Sequence, residues 1–275
     1  MRWPPFILEP LERVAKENRA FLASDVARRP DRKVIILLIT SAICLTLQRY
    51  VGKGDMNEPI GCLLRWLGCD RTAEFMFDLA RDVPEMQLDR LTWWVCVGLV
   101  ANVVIPMSII HCVFRERVRD YGLKLRGAFA DWWVYIVLFA IAAPLVYVAS
   151  AMERFQEKYP FYNVALDNGL SPAFWRWEVL YMIQFFGVEF FYRGFLVHGL
   201  KHRFGAYAIF VMMVPYCMLH FGKPMPETLA AICGAIILGF MSLRTRSIWM
   251  GTAIHITVAG LMDVASLWRK GWLEF

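Results

Sequence analysis

Six stretches of this chain, 34–48, 91–114, 132–152, 204–222, 228–243 and 247–262, contain no Asp, Glu, Lys or Arg, and a seventh, 180–200, contains only Glu189 and Arg193. Crossing the hydrocarbon core of a bilayer takes about 17–25 mostly apolar helical residues. The shorter runs, 34–48 and 228–243, reach that length by borrowing flanking polar residues that extend to the headgroups. A hydrophobic content of 58% with 15% aromatics is too apolar for a soluble domain of 275 residues. The expected fold is therefore all-α, a polytopic integral membrane helix bundle of about seven to eight transmembrane helices. It has one membrane domain over 34–275, preceded by a basic amphipathic arm over 1–33.

The formal net charge is +6, with Lys and Arg spread among loops. Arg28, Arg29, Arg32 and Lys33 directly precede the first apolar stretch, where a cytoplasmic anchor is expected, so the basic balance points to a lipid bilayer and not to nucleic acid. No cleaved signal pattern opens the chain, and the first span is expected to be retained. Residues 6–23 alternate apolar and charged side chains, consistent with a helix lying on the membrane or an ordinary solvated one. Region 52–90 suggests one or two short interfacial helices. Among the seven cysteines, those inside spans behave as small hydrophobes. Cys62 and Cys69 are as consistent with free thiols as with a pair.

Chemistry concentrates in three places. Glu189 lies mid-span and Arg193 is one turn on, on the same helical face. Ionisable groups at such depth face the bundle interior, pair, and mark working sites. His220 and His255 each stand in a further apolar segment, and Asp263 follows His255 by eight residues. A glutamate and two histidines from separate helices suit water activation. Glu178 is 11 residues before Glu189, a rise of roughly 16 Å, so the two form no carboxylate pair and Glu178 is expected at the entrance or membrane boundary. His198 and His202 read as an interfacial surface pair beside Lys201 and Arg203. Phe185, Phe186, Phe190 and Phe191 read as packing. Ser171 and Pro172, after the turn-rich run 167–170, read as N-cap and first residue of the Glu189 helix.

Taken in order, Glu189-x-x-x-Arg193-Gly194, Tyr216-x-x-x-His220 and Ser247-x-Trp249 followed by His255 resemble the CPBP family, also called the Abi or CAAX-protease family of intramembrane endopeptidases. The segment 120–126, with Gly122-Leu123-Lys124-Leu125, is similar to the family's Gly-Leu-x-Leu stretch. The resemblance covers about 115–265. It implies a multi-pass protein of a bacterial inner (cytoplasmic) membrane that hydrolyses a peptide bond in a membrane-anchored protein or peptide substrate, with no cofactor and no metal. In that reading Glu189 is the base, His220 positions the water, His255 donates to the oxyanion, Arg193 pairs with Glu189, and Asp263 orients His255.

Two positions depart from the family pattern. Val188 stands where the family has its first glutamate, and Ala259 where an asparagine follows the last histidine. The chain is thus either a divergent branch using Glu189 or a catalytically inactive member acting as a scaffold or a bacteriocin-immunity-type binding protein. A zinc site lacks a His-Glu-x-x-His motif, and a transporter lacks repeated halves.

Overall fold

The computed structural model describes residues 4–24, 29–81, 83–167 and 169–273; Arg28 of the basic run and Asn168 of the turn lie outside them. The described elements are helical, in the order α1 Pro5–Leu22, α2 Arg32–Gly52, α3 Asn57–Trp66, α4 Asp70–Ala80, α5 Pro84–Val113, α6 Trp132–Ala149, α7 Pro172–Glu189, α8 Ala208–Leu219, α9 Met225–Thr245 and α10 Trp249–Arg269. The last turns of α2 and parts of α5 wind as π-helix. The short helix Glu153–Lys158 lies in the loop before α7.

Among the described residues six runs are long and apolar enough to cross a membrane, and the fourth is Pro172–Leu219, 48 residues long. Unbroken, it would measure about 72 Å, more than twice a hydrocarbon core of about 30 Å. It turns back instead. Beyond α7 the chain runs as π-helix over Phe190–His198 and as α-helix over Gly199–Phe204, and Gly205, at φ 57° and ψ −134°, ends the rod. Glycine tolerates that backbone where a Cβ would not. α8 then returns along the Phe190–His198 stretch, Tyr216 meeting Tyr192 at a ring separation of 5.1 Å.

Burial follows from this doubling. Phe190, Phe191, Tyr192 and Phe195 are fully buried, enclosed by the neighbouring helices. α6, by contrast, exposes Trp133, Ile136, Ile141, Leu145 and Val148. In a bilayer such a face meets lipid, which asks nothing of it but apolarity.

The local signals behave as their chemistry requires. Ser171 Oγ accepts from Phe174 N at 3.3 Å, with Pro172 opening α7. Region 52–90 forms the two short helices α3 and α4, packed on each other. Cys62 and Cys69 are free thiols, as are the other five cysteines.

The amphipathic stretch forms α1, which docks on the bundle with Val14 buried. Arg13 Nη2 donates to Leu243 O at 2.6 Å and Arg244 O at 3.2 Å, while Asn18 Nδ2 donates to His202 O at 3.0 Å and Arg203 O at 2.8 Å. These are the carbonyls that a helix leaves orphaned at its C-terminal end.

Candidate active site

α7 and α10 run antiparallel, so residues late in one meet residues early in the other. Glu189 meets Gly251 and His255, Phe185 packs on His255 at 4.5 Å between ring centres, and Met182 meets Gly260. Glu189, the last residue of α7 before the π-helical stretch, is fully buried. π-turns within α-helices recur at functional sites.

Two helices converge on Glu189 Oε1. His255 Nδ1 donates to it at 3.0 Å from α10, and Arg193 Nη1 stands 3.0 Å away one turn along. The Arg193 contact is an ion pair whose angle makes no hydrogen bond. The guanidinium is fully buried, lies 4.1 Å above the Tyr216 ring and donates through Nη2 to Gly234 O at 3.4 Å. A buried charge in lipid must be paired, and Glu189 and Arg193 meet that need in each other. Glu189 Oε2 has no side-chain or backbone partner.

His220 lies just past the end of α8, 7% exposed, with Nδ1 donating to Tyr216 O at 3.0 Å. Its ring is 4.9 Å from that of Tyr216, and the His255 ring is 6.5 Å from Tyr216 on its own side. Both histidines line a cavity of about 780 Å³ together with Val188, Phe185, Gln184 and Tyr181. Glu189 does not line it. The site therefore has a cavity-facing layer of imidazoles and a buried layer of carboxylate and guanidinium behind it.

The family-like segments also meet. Ile248 N donates to Gly122 O at 2.9 Å, and Trp249 Nε1 to Leu123 O at 3.4 Å. A Cβ on Gly122, whose φ is 87°, would stand 2.7 Å from Ile248 Cγ2. This strap holds the start of α10, and hence the register of His255 against Glu189.

Glu189, Arg193, His220 and His255 are thus gathered; Asp263 is not brought to His255. Eight residues turn a helix by 80° beyond two full turns, and His255 Nδ1 is engaged by Glu189. Asp263 is 2% exposed with both carboxylate oxygens unpartnered, and the charges acting on it are Glu178, Lys223 and Lys270. Glu178 is half-buried near the start of α7, with Oε1 unpartnered among the described residues. His198 also departs from its surface reading. It is 6% exposed, with Nε2 3.0 Å from Ser242 Oγ, because α9 covers the π-helical stretch. His202 stays partly exposed, its Nε2 2.8 Å from Asp31 Oδ2. Phe185, Phe190 and Phe191 are buried, and Phe186 stacks on Trp249.

Sequence reasoning missed Gln184. It lies one turn before Val188, on the same face of α7, and lines the cavity. An amide in an apolar run was the available signal.

Residues 170–261 match the family model described as type II CAAX prenyl endopeptidase Rce1-like. That segment, about a third of the chain, contains Glu189, Arg193, His220 and His255 and ends before Asp263. It agrees with the family resemblance of the motifs: a multi-pass membrane protein carries, in its last helices, a stretch typical of a protease family. No curated protein and no solved structure matches the chain.

Proposed function

We propose that this protein is an intramembrane endopeptidase that hydrolyses a peptide bond in a membrane-associated protein or peptide, with the Glu189–His255 pair activating the water. The observation that carries the proposal is the 3.0 Å contact between Glu189 Oε1 and Nδ1 of a histidine that faces the cavity. A carboxylate only accepts, so the His255 proton resides on Nδ1 and Nε2 is the basic nitrogen. His255 Nε2 takes a proton from water as the water oxygen attacks the scissile carbonyl carbon. It returns that proton to the leaving amine when the tetrahedral intermediate breaks its C–N bond. Glu189 orients the ring and steadies the imidazolium, and Arg193 offsets the carboxylate charge.

In this scheme Glu189 acts through His255, not on the water directly, because it stands wholly behind the cavity wall. His220, its Nδ1 occupied by Tyr216 O, offers Nε2 as a second acceptor for the water. Gln184, which lines the cavity beside both histidines, supplies an amide donor for the oxyanion.

A second reading, peptide binding without cleavage, is favoured by Val188, which puts an apolar side chain into the cavity at the family's glutamate position. Mass spectrometry of membrane-protein termini, in cells carrying the native protein, Glu189→Gln or His255→Ala, separates the two. Peptide termini present only with the native protein support hydrolysis. Identical termini in all three, with an intact peptide co-purifying, support binding alone.

A further inference from the structure

The cavity that ends on His220 and His255 has a one-sided charge. Arg49, Lys53, Arg90, Lys158 and Lys223 line it, and no Asp or Glu does so among the described residues. Part of this charge is neutralised from outside the lining. Arg49 meets Asp55 at 2.6 Å and Lys223 meets Glu227 at 2.7 Å. Lys53 and Lys158 have no carboxylate at ion-pair distance among the described residues; Lys158 lies only over the Phe161 ring, 5.3 Å from its centre.

These cations come from four separate places: the end of α2, the first turns of α5, the loop before α7, and the turn between α8 and α9. They nevertheless act on one another, since the charges felt by Lys53 are those of Lys158, Arg49, Asp55 and Lys223. Lys53 is exposed, so this end of the cavity reaches the surface, while Val188, Phe185 and the two histidines form its inner end. Gathering like charges around a shared concavity is unfavourable for the empty protein, and a cleft lined by one sign of charge concentrates the opposite sign.

We propose that Lys53 and Lys158 form a receptor for a carboxylate carried by the peptide substrate, holding the chain by its negative charge while an adjoining bond lies at His220 and His255. The ligand class is a peptide bearing an acidic side chain or a free terminal carboxylate beside its membrane-embedded part. This rests on the endopeptidase reading only for the word substrate, since a non-cleaving binder would use the same receptor. Such charge complementarity governs which partner enters more than how tightly any partner is held.

The test measures binding, not cleavage. Full-length protein in phosphatidylcholine nanodiscs is titrated, by fluorescence anisotropy, with four hexadecanoylated peptides: neutral with an amide end, neutral with a free-acid end, amide-ended with two Asp, and amide-ended with two Lys. The Asp peptide, the free-acid peptide, or both should bind about tenfold more tightly than the Lys peptide, or about 1.4 kcal/mol. Which of the two does so identifies the source of the charge. The preference should vanish in Lys53→Ala/Lys158→Ala and reverse in Lys53→Glu/Lys158→Glu, a reversal that misfolding cannot produce. It should shrink as salt shortens the screening length. Equal affinities in the native protein, or a preference untouched by the double substitution, would overturn the proposal. So would loss of the preference when phosphatidylglycerol joins the nanodisc with no change on lysine substitution, which would assign the charge to lipid. A charge preference without cleavage would leave this proposal standing and remove the hydrolytic one.

Discussion

Gly251 and Glu189 touch where any other residue would intrude: a Cβ on Gly251 would stand 2.9 Å from Glu189 Oε2. Two effects of Gly251→Ala oppose each other. Alanine is favoured over glycine inside a helix by about 1 kcal/mol, whereas overpacking costs about 1–3 kcal/mol. The crowded atom, Oε2, is a side-chain end, but Arg193 and His255 hold the other oxygen of the same carboxylate and so limit how far it can swing away. Thermal stability should therefore change little or fall slightly. Activity should fall far more, about 10- to 100-fold, the scale for losing a group that orients an active histidine. Proteolysis and thermal unfolding measured on the same preparation check this, and an alanine variant of native activity would contradict the contact.

Arg193→Ala leaves a buried carboxylate without its cation, a change that costs about 3–5 kcal/mol for buried pairs. Folded yield after detergent extraction should drop sharply. Glu189→Gln combined with Arg193→Ala should recover the yield while remaining inactive. If the single alanine variant extracts as well as the native protein, the pair is not a stabilising one.

Asp263 and Glu178 bring two carboxyl groups into the bundle, with Asp263 lacking any hydrogen-bond donor. Asp263→Asn should keep turnover within about threefold, since His255 is already oriented by Glu189, and should leave the melting temperature unchanged or raise it slightly, because it exchanges one buried, unpartnered polar group for another of the same shape. A fall in turnover of about 10- to 100-fold would restore Asp263 to the reacting site.

Lys53 reaches the surface but its ammonium is partly desolvated by the cavity wall; that desolvation first, and then Lys158, Arg49 and Lys223 against the opposing pull of Asp55, hold it below the usual amine range. A lowered lysine loses its charge at a lower pH than an ordinary one. Binding of the acidic probe should thus weaken on alkaline titration before the range in which exposed lysines titrate. In Lys53→Arg, whose guanidinium stays charged, that early weakening should disappear. An unchanged profile in the arginine variant would remove Lys53 from the receptor.

Chelation offers a separate check. Among the described residues no three His, Cys, Asp or Glu side chains stand close enough together to hold a metal ion. Phenanthroline and EDTA should leave the cleavage rate unchanged. Loss restored by zinc would require another mechanism.

What could be read from the sequence was whatever a single helix encodes. Glu189 and Arg193 are i and i+4, and the cost of charge in lipid allows them few arrangements; Ser171 and Pro172 announce a helix start in any context. Relations between helices were not readable in this way. That Asp263 answers to Glu178, and His255 to Glu189, depends on the antiparallel register of α7 and α10, which neither helix records alone. His198 looked like a surface residue because the Ser242 that meets it comes 44 positions later. The cations of the cavity come from four distant segments and converge only in the fold, while Gly205 conceals a reversal inside one continuous apolar run.

The docking of α1 has a consequence for the order in which the protein is made. Its Arg13 and Asn18 bond to carbonyls 184 to 231 positions further along, so a helix made before the spans is among the last to find its place. Contacts this distant in sequence form slowly. Asn18 can meet its partners once residues 202 and 203 are made, but Arg13 lacks its own until α9 is complete. The N-terminal arm is in effect a latch that closes only on a finished bundle. A chain stalled before residue 243 would hold α1 by Asn18 without Arg13, half latched.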